Sequence, residues 1–131
     1  MRYSNIITCA VVTAISCLTC AETFLVPSQY PHIQEAIDVA VDGDIVLVSD
    51  DTYFEAIDFL GKAITVTSES GVPDNVFIDG LFSGGTPVVS FITEETTASV
   101  LEGFTIRNGS ASQGAGIYIN GAAPTLNNCV I

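Results

Sequence analysis

Carboxylates dominate the chemistry open to this chain of 131 residues. Asp42, Asp44, Asp50, Asp51 and Glu55 fall within one short stretch. Hard oxygen ligands of this kind suit calcium, which takes six to eight of them. Asp50, Asp51 and Glu55 are therefore the candidate metal ligands, with Ca²⁺ the cation they would take. Their spacing matches no dedicated calcium loop, so solvated turns are the simpler account of the same residues. The other reactive side chains are few. His32 is the only histidine and reads as an exposed helix-start residue. Cys129 as a nucleophile would need a histidine nearby, and His32 is far away in sequence; a small apolar packing role fits it better. No residue is assigned a catalytic role, and no cofactor other than that possible Ca²⁺ is expected.

A second kind of chemistry is adsorption. Thr65, Thr67, Thr105, Arg107, Thr125 and Asn127 sit at outward positions of short strands and are expected to form one polar row. Hydroxyls and amides in such a row bind glycan or mineral surfaces, or simply stay hydrated. Tyr118 is the outward aromatic for sugar stacking. Thr105, Arg107, Tyr118, Thr125 and Asn127 are thus the expected binding surface, and polysaccharide is the expected partner.

The composition narrows the classes. Acids outnumber bases 15 to 3, for a net charge of −12. Nucleic acid and anionic membranes need basic patches and are excluded as partners. At 48% hydrophobic the chain is still able to bury a core. Eleven glycines, no tryptophan and few aromatics point to many small apolar residues packed in series rather than one bulky centre.

Positions 1–21 read as a secretory signal peptide. Arg2 supplies the positive start, Ile6 to Leu18 the apolar run, and Thr19-Cys20-Ala21 the small-residue cut site. Cleavage would leave no membrane span, a single cysteine (Cys129), no internal disulfide, and 15 acids against Lys62 and Arg107. The expected location is secreted or cell surface.

The elements that must position these residues follow. Positions 22–44 read as a strand (Glu22 to Val26) and an amphipathic helix (Pro31 to Val41) with Ile33, Ala36, Ile37 and Ala40 on one face. Pro31 suits a first helical position, and Asp42-Gly43-Asp44 stops the helix. Positions 45–131 read as short strands bounded by Gly, Asn, Pro and Ser. Ile45 to Val48 is continuously apolar. Tyr53 to Phe59 and Ala63 to Thr67 alternate. Leu81 to Thr86 is a Gly-rich connector, and Thr93 to Thr97 an exposed acidic loop. Thr105-Ile106-Arg107-Asn108-Gly109 recurs as Thr125-Leu126-Asn127-Asn128-Cys129, 20 residues on. This predicts a β-solenoid of period near 20, with Asn108 and Asn128 stacked at one corner. The corner role is preferred over glycosylation of the Asn108-Gly109-Ser110 sequon.

Tyr30 to Ile37, Asp42 to Val48, Thr52 to Glu55 and Gly61 to Val66 resemble the opening of pectin lyase-like right-handed parallel β-helix proteins. The familiar form is an "IQ-AID-A" helix, "GD-V-V", a "GTY-E" turn and a "K-ITV" strand. Asp51 stands where the family usually has the Gly of "GTY". The Leu101 to Ile106 and Gly114 to Ile117 runs look like later coils of large secreted bacterial members. The resemblance spans the expected mature chain and implies an all-β, right-handed parallel β-helix with an N-terminal capping helix. Ile131 lies inside an apolar run, so a longer chain in cis is expected. Lyase members of the family use carboxylate-held Ca²⁺ with an Arg or Lys base, which here leaves Arg107 and Lys62. Family active sites usually lie on central coils. The resulting expectation is a structural or carbohydrate-binding segment. The alternative is the N-terminal part of a polysaccharide lyase or glycoside hydrolase with its active site downstream.

Overall fold

The computed structural model describes residues 20–131. The expected signal peptide, but for its last two residues, lies outside them. Among the described residues no helix is long and apolar enough to cross a membrane.

The fold is all-β, built of parallel sheets with one helix. The chain forms β1 (Thr23–Val26), α1 (Ile33–Val39), β2 (Ile45–Val48), β3 (Thr52–Tyr53), β4 (Ile57–Asp58), β5 (Thr65–Ser68), β6 (Phe77–Asp79), β7 (Val89–Phe91), β8 (Val100–Glu102), β9 (Thr105–Arg107), β10 (Ile117–Ile119) and β11 (Thr125–Asn127). The first sheet runs β1-β2-β5-β8-β11, the second β3-β6-β9, and the third β4-β7-β10. Every pairing is parallel.

Alternation in each strand decides what points inward. In the first sheet Phe24, Val46, Val66, Leu101 and Leu126 stand in register, one strand above the next. In the second, Tyr53, Ile78 and Ile106 align. In the third, Ile57, Val89 and Ile117 align. These columns meet in one core, where each fully buried aliphatic side chain contributes about 1.5–3 kcal/mol. Phe59 and Phe91 add a ring pair tilted by 39° with centroids 4.5 Å apart.

Helix α1 covers one end of this core with Ile33, Ala36 and Ile37. Seven residues are too few for a self-sufficient helix, and the rest of the chain ties it down. Glu55 Oε2 and Oε1 accept from the N–H groups of Ile33 (2.8 Å) and Gln34 (3.0 Å), two donors that a helix start otherwise leaves orphaned. Lys62 Nζ donates to the carbonyls of Ile37 (2.7 Å) and Asp38 (2.8 Å) at the other end. Gln34 acts as a substitute strand: its amide accepts from Asp58 N–H (2.7 Å) and donates to Asp58 C=O (3.2 Å), satisfying part of the free edge of β4. Buried Asp44 accepts from Val41 and Glu22 N–H. The polar letters of the opening motif, Gln34, Asp44, Glu55 and Lys62, are thus the ties between helix and sheets.

Glu55→Ala removes a two-bond cap and is expected to lower stability by about 1–2 kcal/mol. Glu55→Gln, which keeps one acceptor, should lose less. Urea midpoints of the three proteins check this, and equal midpoints would rule out the capping role.

Several expectations need correction. The helix begins at Ile33, with Pro31 outside it and His32 extended at φ −124°. Tyr53 to Phe59 is not one strand but two, β3 and β4, in different sheets, because the chain turns a corner at Phe54-Glu55-Ala56. The loop Thr93 to Thr97 is not wholly exposed. Glu95 is buried, and its carboxylate accepts from Gly61 N–H (3.1 Å) and Thr93 N–H (2.8 Å).

The 20-residue repeat is also overturned. Val100 pairs with Thr125, and Thr105 bridges to Val130, each 25 residues on. Thr105 and Thr125 lie in different sheets, as do Ile106 and Leu126. Asn108 and Asn128 therefore share no corner. Both are left-handed (φ 57° and 50°), but Asn128 is the ladder successor of Gly103 (φ 85°). A Cβ at Gly103 would collide with Ser68 Oγ on the strand before, whereas Asn128 donates instead to Gly71 C=O at 2.9 Å.

Candidate functional site

The second sheet carries a surface where charge, buried hydrogen bonding and exposed aromatic rings meet. It is organised by Asp79, the last residue of β6, which is only 2% exposed. One carboxylate oxygen accepts from Leu81 N–H at 3.0 Å, which starts the 3-10 turn Gly80–Phe82. The other accepts from Arg107 Nε at 2.7 Å. Asn108 Nδ2 donates to both, at 2.9 and 3.0 Å. Arg107 stands beside Asp79 because β9 pairs with β6 in register. Its guanidinium also lies 4.2 Å from the centre of the Phe77 ring, an outward residue of β6. Asn108 reaches the same carboxylate because its left-handed backbone turns the chain back at the end of β9.

Burial alone would raise the pKa of Asp79. The hydrogen bonds from Asn108, Arg107 and Leu81 N–H, with the charge of Arg107, outweigh that cost and hold the carboxyl below its ordinary value. The group is an ionised, fully satisfied anchor. Among the described residues no buried side-chain nitrogen or oxygen lacks a hydrogen-bond partner.

What the anchor fixes is the turn that carries Leu81 and Phe82. Phe82 is 75% exposed and Leu81 58%. Phe54, at the corner after β3, is 52% exposed and meets Phe82 ring to ring, with centroids 5.7 Å apart and planes tilted by 53°. Reciprocal hydrogen bonds between Ser83 and Thr86 close the loop beyond them, Oγ to Thr86 C=O at 3.1 Å and Oγ1 to Ser83 C=O at 2.9 Å. The outcome is an exposed apolar ridge standing on a buried carboxylate and its half-exposed arginine partner.

The expected binding row divides between faces. Thr65, Thr67, Thr125 and Asn127 lie on the first sheet, Thr105 and Arg107 on the second, and Tyr118 on the third. The cause is the 25-residue return, which sends Thr105 and Thr125 to different sheets. Thr105 Oγ1 donates to Pro73 C=O (2.9 Å) and Thr125 Oγ1 to Thr97 C=O (2.8 Å), so both hydroxyls hold neighbouring loops. Tyr118 is half-buried opposite Ser90. Asn127 is exposed. Arg107 alone of this group takes part in the Asp79 site.

The calcium candidates surround Tyr53 but differ in what they bond. Both oxygens of Glu55 are taken by the helix start, and Asp51 Oδ1 accepts from Thr52 N–H at 2.7 Å. Asp50 is exposed. Glu55 is thereby committed to the helix, and Asp51 has one oxygen engaged. Among the described residues no group of three or more His, Cys, Asp or Glu stands close enough to hold a metal ion. They act instead on Tyr53. Its burial, then the charges of Asp51, Glu55 and Asp50, push its pKa up to about 12, and the neutral phenol donates to Ser49 C=O at 2.9 Å. Cys129 is partly buried, its thiol pKa raised by that burial, and its Sγ faces the carbonyls of Asn127 and Leu101.

Phe54, Leu81, Phe82 and Asp79 were not singled out by the sequence, and Asn108 was singled out only as a corner residue, not as a partner of Asp79. One signal was available: Leu81-Phe82 places two large apolar residues inside a Gly-rich connector, where a loop ordinarily carries polar ones. Comparison with protein-family models, with curated proteins and with solved structures found no match to this chain.

Proposed function

We propose that the chain is a right-handed parallel β-helix of the pectin lyase-like kind, secreted or displayed at a cell surface, with a structural or carbohydrate-binding role. The observation that carries the reading is the order of strands. From β2 onward the chain passes first, second and third sheet in unvarying sequence, returning to the first at β5, β8 and β11. A winding chain under a helical cap accounts for that order and for the all-parallel pairing, because each return lays a strand beside its predecessor. The ties made by Gln34, Asp44, Glu55 and Lys62 give the opening motif a physical purpose in such a fold. The binding face is the Phe54–Phe82 ridge.

The enzymatic alternative, a lyase or hydrolase segment, has less support here. Its candidate bases are committed: Lys62 to the helix end and Arg107 to Asp79. The test exposes the protein to a panel of immobilised glycans and to soluble uronate polysaccharide with Ca²⁺. Retention without turnover is the expected result. New absorbance from unsaturated chain ends would overturn the binding reading in favour of the lyase.

A further inference from the structure

Resting on the carbohydrate-binding reading, we infer that the Phe54–Phe82 ridge takes an uncharged polysaccharide and rejects polyuronates. The argument begins with charge. Lys62 and Arg107 are the only Lys or Arg among the described residues. Lys62 Nζ is bonded to two helix carbonyls. Arg107 Nε is bonded to Asp79 and its guanidinium lies over Phe77. An acidic polymer meets a surface of net charge −12 whose two described Lys and Arg side chains are already engaged, Arg107 through Nε with buried Asp79, and like charges repel.

A neutral sugar chain needs none. It offers flat faces of C–H groups and a rim of hydroxyls. The exposed faces of Phe82 and Phe54 suit the former, since aromatic rings bury large apolar area at fixed geometry. Exposed Asp50 and Asp51, a few residues before Phe54, are hydroxyl acceptors for the latter. The ridge is preorganised by the Asp79 hydrogen bonds to Leu81, Arg107 and Asn108, so little ordering entropy is lost on binding. A protein partner fits less well. Three exposed apolar side chains fall far short of the roughly 20 residues a side of a stable protein interface.

The experiment uses the folded protein with cellulose and soluble β-glucan as neutral probes and polygalacturonate as the anionic one. The variants are Phe82→Ala, Phe54→Ala and the double variant. Phe82 is mostly exposed, so its truncation leaves the melting temperature nearly unchanged. Expected are retention on a neutral glycan, insensitivity to salt, and a loss of about tenfold or more in affinity in the double variant. Preferential retention on polygalacturonate, or neutral binding undiminished in the double variant, overturns this inference while leaving the carbohydrate-binding reading standing. No retention on any glycan sinks both. Phe82-dependent self-association without glycan retention overturns the inference by naming a second copy as the occupant.

Discussion

Phe91→Ala is expected to lower the stability of the fold by about 3–5 kcal/mol, the usual cost of truncating a fully enclosed phenylalanine. Phe91 has no exposed surface, and neither has Phe59, whose ring lies against it at 4.5 Å. Truncation leaves a cavity beside Phe59 in the core under the third sheet that the surrounding side chains fill poorly. A domain of this size has about 5–15 kcal/mol in all, so the variant should melt more than about 10 °C below the parent. Phe91→Leu keeps most of the volume and should recover much of the loss. A double-mutant cycle with Phe59→Ala should return a coupling of about 0.5–1.5 kcal/mol. A Phe91→Ala midpoint indistinguishable from the parent would show that the two rings do not pack together inside the core.

Asp79→Ala is the second large effect, expected at about 2–3 kcal/mol. The buried carboxylate serves Leu81 N–H, Arg107 and Asn108 together. Its loss leaves those donors without the acceptor around which they are arranged. The cost stays below that of breaking a fully buried pair because the Arg107 side chain is 42% exposed and can rehydrate. The damage should be local: faster amide exchange at Gly80–Phe82, with helix α1 unchanged.

The same residue sets a pH dependence. The folded pKa of Asp79 is lowered, so the unfolded chain takes up a proton first as pH falls. The stabilisation is therefore complete above the ordinary aspartate value of about 4. It disappears as pH drops through the lower, folded value. Stability measured for the parent and for Asp79→Asn should differ near neutrality and converge in acid. Parallel curves across that range would exclude an ionised, anchored Asp79.

Much of the fold was legible because period-2 alternation is a local property. Ile57 and Phe59 around Asp58, and Ile64 and Val66 around Thr65, each announce an inward position by their immediate neighbours, and all four are buried. The opening motif likewise pointed to a helix laid over strands, and its polar members proved to be the ties. The Asp79 site was not legible, because Asp79 and Arg107 are brought together only by pairing β6 with β9. No local pattern reports that pairing.

By itself, then, the sequence determined which residues face inward, that the strands are short, and that a helix precedes them. Only the tertiary structure decided which strand lies on which. Three sheets share the same alternation, so the pattern of Thr-Ile-Arg and Thr-Leu-Asn is alike in β9 and β11, although they occupy different faces. The returns to the first sheet take 20, 35 and 25 residues (Ile45 to Thr65 to Val100 to Thr125). Loops of unequal length absorb the difference. Ladder hydrogen bonds and the fit of the inner columns choose the register, and with it the neighbours of Asp79.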